Sequence, residues 1–147
     1  MFDISIYLKR RSNLKSRLDS GIILLMGNDE SPINYKDNTY WFRQDSTFLY
    51  YFGLNNPGLI GVLDVDEEKD YIFGNDPTIE DTIWMGHQEA LDRLARKTGV
   101  ENAGQIPDID KFLKQAIAKD RTIHFYHRIV LKIKLTFFTG WILIQTR

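Results

Sequence analysis

Ile4, Tyr7, Leu8, Leu14 and Leu18, with Arg11 on the same spacing, recur at helical intervals behind Asp3, which stands where an N-cap would. The pattern predicts an amphipathic helix over residues 4–18, with the remaining Arg and Lys side chains on its other face and Gly21 as its stop. Ile22 to Met26 is a short continuous apolar run, the signature of a strand covered on both faces. Residues 28–38 are polar around Pro32 and read as a loop. A short aromatic helix is expected over residues 46–52, opened by Ser46 as its cap and closed by Gly53. Residues 59–65 and 71–73 read as two strands of a hairpin, joined through an acidic stretch. Residues 79–85 are expected to be extended, residues 88–97 and 110–118 helical, and residues 122–126 a last strand. Helices alternating with short apolar strands imply an α/β layer structure.

Composition narrows what such a domain can do. With 147 residues, 43% hydrophobic and 27% charged, the chain has the make-up of one globular domain. A net charge of −1 gives no electrostatic case for nucleic acid or an anionic membrane as partner. The absence of cysteine excludes thiol catalysis and thiolate metal sites. No apolar run precedes Ile22, so no secretory signal is expected, and the cytoplasm is the default compartment. The charge is uneven: residues 1–120 carry 14 basic and 20 acidic side chains, whereas residues 121–147 carry five basic and no acidic ones. That tail is mostly apolar, but its uncharged run, Leu135 to Ile144, is about half the length of a bilayer span, so no membrane partner is expected.

Chemistry-bearing patterns are sparse. His87, His124 and His127 form no metal-ligand spacing, and phosphate-cradling or nucleophile-elbow motifs are absent. Asp64, Asp66, Glu67, Glu68 and Asp70 make one dense carboxylate cluster, read as a solvated hairpin turn. No catalytic residue and no metal ligand is therefore expected in this chain. Two blocks stand out. Residues 40–58, YWFRQDSTFLYYFGLNNPG, hold seven aromatics around Arg43 and Gln44, which suits either core packing or an interface. Ile83, Trp84, Met85 and Gly86 form an apolar quartet after a polar stretch.

These blocks carry a family resemblance. Phe42, Arg43, Gln44, Asp45, Ser46, Phe48, Tyr50, Phe52, Gly53 and Pro57, followed by the strand LIGVLDV and by Trp84 and Gly86, resemble the N-terminal domain of the Xaa-Pro aminopeptidases, relatives of creatinase and prolidase. The resemblance covers residues 1–125 and implies a three-layer α/β domain, a mixed sheet flanked by helices. In that family a second, pita-bread domain holds two metal ions, usually manganese, through two Asp, one His and two Glu. The implied role of this chain is thus non-catalytic: oligomer contacts with further copies, and one wall of the cleft for a proline-containing peptide. Trp84 is the expected wall or interface residue, because a rigid aromatic packs well against a small apolar substrate. Arg43 and Gln44 are expected to fasten the aromatic segment through buried hydrogen bonds, with Phe48, Tyr50, Gly53, Pro57 and Gly86 as structural motif residues. The alternative is a free-standing binding or self-association module with the same fold.

Residues 126–147 depart from the pattern. Relatives continue after the last strand with a Pro-Pro-Tyr-Arg-like stretch and a polar linker. Read from the last base of codon 125, this segment is compatible with Leu, Pro, Pro, Tyr, Arg, Ala, Glu, Asn, Lys. A reading frame slipped near Phe125 is the expectation, against a truncated or separately evolved end.

Overall fold

The computed structural model describes residues 2–34, 38–86 and 88–125. Among the described residues five helices and five strands follow one another as α1 (Ile4–Lys15), β1 (Ile22–Met26), α2 (Ser46–Phe52), β2 (Ile60–Asp64), β3 (Lys69–Gly74), α3 (Ile79–Met85), α4 (Leu91–Lys97), β4 (Asn102–Gln105), α5 (Ile106–Ala118) and β5 (Ile123–Phe125). The strands form one mixed sheet in the order β4-β3-β2-β1-β5. β1 pairs antiparallel with β2 and parallel with β5, while β3 pairs antiparallel with β2 and parallel with β4. Four strands therefore point one way and β2 the other.

Alternation along the strands sorts side chains between two cores. Ile23, Leu25, Leu63 and Ile72 face Phe48, Phe52, Leu91, Ala95 and Val100, so α2 and α4 cover that side. Ile22, Val62 and Phe73 face Ile109, Leu113 and Ala116 of α5 on the other. The result is the expected three-layer arrangement, and β1, covered on both faces, reads as a continuous apolar run for that reason.

Several expectations need correction. α1 ends at Lys15, and its buried side chains are Tyr7 and Arg11, whereas Ile4 and Leu8 are largely exposed. The cation is tolerated inside because each of its guanidinium nitrogens donates a hydrogen bond, as described below. The cap of α2 is Asp45, not Ser46: its Oδ1 accepts from the backbone N–H of Thr47 at 2.9 Å and of Phe48 at 3.0 Å. Residues 79–85 are helical rather than extended. Ile79 and Ile83 are spaced for one helix face, and Glu80 in the first turn favours the positive end of the helix dipole. α4 begins three residues later than expected and α5 four residues earlier. Pro107 sits in the first turn of α5, and Asp108 accepts the Gln105 N–H at 3.1 Å. The polar sequence of β4 carries no strand pattern; its pairing with β3 makes the strand, with Gly104 packed closely under the Phe73 ring. The segment 126–147 and its frame-slip expectation lie outside the described residues.

Candidate functional site

Strand direction places the exits of β1, β3, β4 and β5 at one end of the sheet, together with the entry to β2. In open α/β sheets this carboxyl end is where ligands are met. Two excursions rise from it: residues 27–59, which include α2, and residues 75–90, which include α3.

Gln44 organises the first excursion. It is 1% exposed, and its Oε1 accepts the N–H of Asn28 and, at 2.8 Å, the N–H of Asp45. Its Nε2 donates to the Asn56 carbonyl at 2.6 Å, and its own N–H donates to Asn55 Oδ1 at 3.2 Å. One buried amide thus joins the exit of β1, the start of α2 and the loop that leads through Pro57 into β2. Both of its ends are satisfied, as burial requires. Arg43 does not share this role: it is exposed, and the contact it supplies is its backbone carbonyl, which accepts from Asn28 Nδ2 at 2.7 Å. Phe48 is fully buried and stacks on Phe52 with ring centres 4.9 Å apart. Tyr50 is half exposed beneath the Arg10 guanidinium, 4.0 Å from its ring centre. Gly53 closes α2 at φ +68° directly against the Tyr7 ring, where a Cβ has neither conformation nor room. Pro57 is exposed in the following turn. Trp41 is 96% exposed in the segment before α2, a feature that the sequence block, read as a whole, did not single out.

The second excursion is built differently. Along α3, Ile79 is 82%, Ile83 71% and Trp84 84% exposed, so Trp84 is not a core residue. Gly86 follows at φ +79° with open space around its Cβ position, so backbone conformation alone favours glycine there. Trp84 and Gly86 therefore lie on a different excursion from Arg43, Gln44, Phe48, Tyr50, Gly53 and Pro57.

The carboxylate cluster lies at the opposite end of the sheet and is not a purely solvated turn. Asp64 is buried and held by both Nη atoms of Arg121, the Nη1 contact being 3.0 Å. Asp66 accepts Arg121 Nε at 2.7 Å and the Gly21 N–H at 3.2 Å. Those bonds, Gly21 first and Arg121 second, hold its carboxyl below the ordinary 3.8. Asp70 receives Arg11 Nε at 2.7 Å and Lys15 Nζ at 2.8 Å. Arg11 is 0% exposed and also donates to the carbonyls of Tyr51 at 3.0 Å and Thr98 at 2.8 Å. Glu67 and Glu68 alone match the solvated reading. The sequence concealed these pairs because the partners are 55 to 59 residues apart. His124 places Nε2 3.0 Å from the Ser20 carbonyl, and His87 and His127 lie outside the described residues.

The architecture defines a class: a three-layer α/β domain whose mixed sheet presents an aromatic rim at its carboxyl end. The family described as aminopeptidase P, N-terminal domain, matches residues 7–126, and the chain belongs to it. The Xaa-Pro aminopeptidase of Escherichia coli (strain K12) is 26% identical over 114 residues, covering 76% of this chain and 26% of that protein. The human Xaa-Pro dipeptidase is 30% identical over 92 residues, covering 63% of this chain and 19% of that protein. A solved structure of E. coli aminopeptidase P in a low-pH form superposes with a TM-score of 0.68 at 26% identity, covering 78% of this chain and 27% of the other. The chain spans about a fifth to a quarter of the length of these relatives.

A manganese pair of the kind the family resemblance implies does not fit the donors described. Asp64, Asp66 and Asp70 are each committed to Arg or Lys, and among the described residues no three His, Cys, Asp or Glu side chains are placed to share a metal ion. Among the described residues no helix is long and apolar enough to cross a membrane.

Proposed function

We propose that this chain is the non-catalytic N-terminal domain of a cytoplasmic, manganese-dependent Xaa-Pro aminopeptidase, and that it supplies oligomer contacts and one wall of the substrate cleft. The observation that carries the reading is Trp84, 84% exposed beside Ile79 and Ile83 on a helix at the carboxyl end of the sheet. A rigid indole held in solvent offers a large apolar face to a small substrate such as a proline ring at low entropic expense. The metal pair, where a second domain holds it, supplies the hydroxide that attacks the peptide bond; this chain's residues position and enclose.

Kinetics test it. In a polypeptide read through the shifted frame beyond codon 125, Trp84→Ala raises KM for an Xaa-Pro peptide by about tenfold, equivalent to about 1.4 kcal/mol of binding. An unchanged KM removes Trp84 from the cleft. The 147-residue chain incubated with manganese and the same peptide releases no N-terminal residue, and turnover by the pure chain overturns the non-catalytic reading. Coding DNA that stops within a few codons in the shifted frame favours instead a self-association module, for which the exposed Tyr40 and Trp41 provide surface. Light scattering on the chain shows at least a dimer under either account, and a monomer removes the oligomer contacts.

A further inference from the structure

The large apolar side chains described on its own helix do not fix Trp84 in space. The α3 excursion leaves the sheet at Gly74 and rejoins the body at Leu91, and the large apolar side chains described on α3 all face solvent. Its two ends meet where the Leu91 side chain packs over Gly74, and beyond that contact the neck borders an open cavity of about 280 Å³ lined by Asp76, Pro77, Gln88, Ala90 and Arg93.

Among the described residues, one carboxylate adds a polar tie across the neck. α4 begins without a capping side chain of its own, because its N-cap is Ala90. Asp76 does that work from fifteen positions upstream: its Oδ1 accepts the Leu91 N–H at 2.8 Å. Its Oδ2 accepts Nε2 of Gln105, the residue that opens α5, at 2.8 Å. A carboxylate on the segment that enters the excursion thus grips the first turn of the helix that leaves it and the start of α5. The negative charge also suits the positive end of α4. Leu91 is itself anchored in the core at 3% exposure, so the grip transmits to a fixed point.

We infer that Asp76 is a positioning residue whose two hydrogen bonds close the neck of the α3 excursion and so set the pose of Trp84. This deepens the cleft-wall reading and rests on it only for the catalytic consequence; the pose itself is measurable without activity. The full 147-residue chain carrying Trp41→Phe and Trp141→Phe leaves Trp84 as the sole indole for time-resolved fluorescence anisotropy. Asp76→Ala roughly doubles the amplitude of its nanosecond local rotation. Asp76→Asn, which keeps an amide oxygen for the Leu91 N–H, restores most of the rigidity, and Gln105→Met gives a smaller loosening. A parallel reporter with Trp41 alone stays unchanged in all three.

Unchanged Trp84 rotation in both Asp76→Ala and Gln105→Met overturns the inference. So does an equal response of the Trp41 reporter, or outright unfolding of Asp76→Ala by circular dichroism, because either makes Asp76 a general support rather than a clasp. If Trp84 loosens as expected while Trp84→Ala leaves KM unchanged in the two-domain enzyme, the clasp stands and the cleft-wall reading fails.

Discussion

The two ends of the sheet are built on opposite terms. Where β1, β3 and β5 begin, carboxylates of the hairpin are clamped by cations from distant helices and loops: Asp70 by Arg11 and Lys15, and Asp64 and Asp66 by Arg121. Where the same strands end, buried or neck-tying amides and one carboxylate hold the loops, and Trp41, Ile79, Ile83 and Trp84 stand in solvent. A closed ionic end stabilises the domain, which leaves the open aromatic end free to carry surfaces the fold does not need. A buried guanidinium bonded through each of its nitrogens tolerates little alteration, whereas an exposed indole can be changed at almost no expense to the fold.

That contrast can be broken from its strongest side first. Arg11→Met takes one of the two cationic donors from Asp70, leaving it Lys15 alone, and strips the carbonyls of Tyr51 and Thr98 of the Arg11 donor, and should lower unfolding free energy by about 3–5 kcal/mol in urea titrations. A loss under 1 kcal/mol would mean that the ionic end is decoration. At the other end, Gln44→Leu strands the N–H groups of Asn28 and Asp45 and the Asn56 carbonyl, with an expected loss of about 1–3 kcal/mol by the same method.

Acid titration sharpens the comparison. Asp66 is held below its ordinary 3.8 by the Gly21 N–H and then by Arg121, so its ionised form favours the folded chain. That contribution is complete above the unfolded value and is lost as pH falls through the lower folded one. The stability gap between wild type and Asp66→Asn is therefore expected to be widest near neutrality and to close in thermal melts below about pH 4; a gap independent of pH would contradict the assignment. The smallest effect belongs to Trp84→Ala, which should change unfolding free energy by less than about 0.5 kcal/mol. A larger loss would show that α3 packs on the body after all.

The chain text reveals the domain class because its strongest signals are local. The apolar run of β1, the Gly53 stop and the hairpin of β2 and β3 each follow from neighbouring residues, and the aromatic block around Arg43 and Gln44 is dense enough to mark the family. Gln44 is buried and bonded at both ends of its amide, whereas Arg43, adjacent in sequence, is exposed; nothing in their spacing distinguishes the two.

What the sequence by itself determined is which segments are helix or strand wherever periodicity and caps agree, and the family to which they belong. Tertiary structure alone decided the rest: β4 exists because β3 offers it hydrogen bonds, Asp76 caps α4 across fifteen residues, and Arg11 and Arg121 meet carboxylates more than fifty positions away. Such contacts arise from folding a chain back on itself, and sequence spacing holds no record of which distant donor an acceptor will meet.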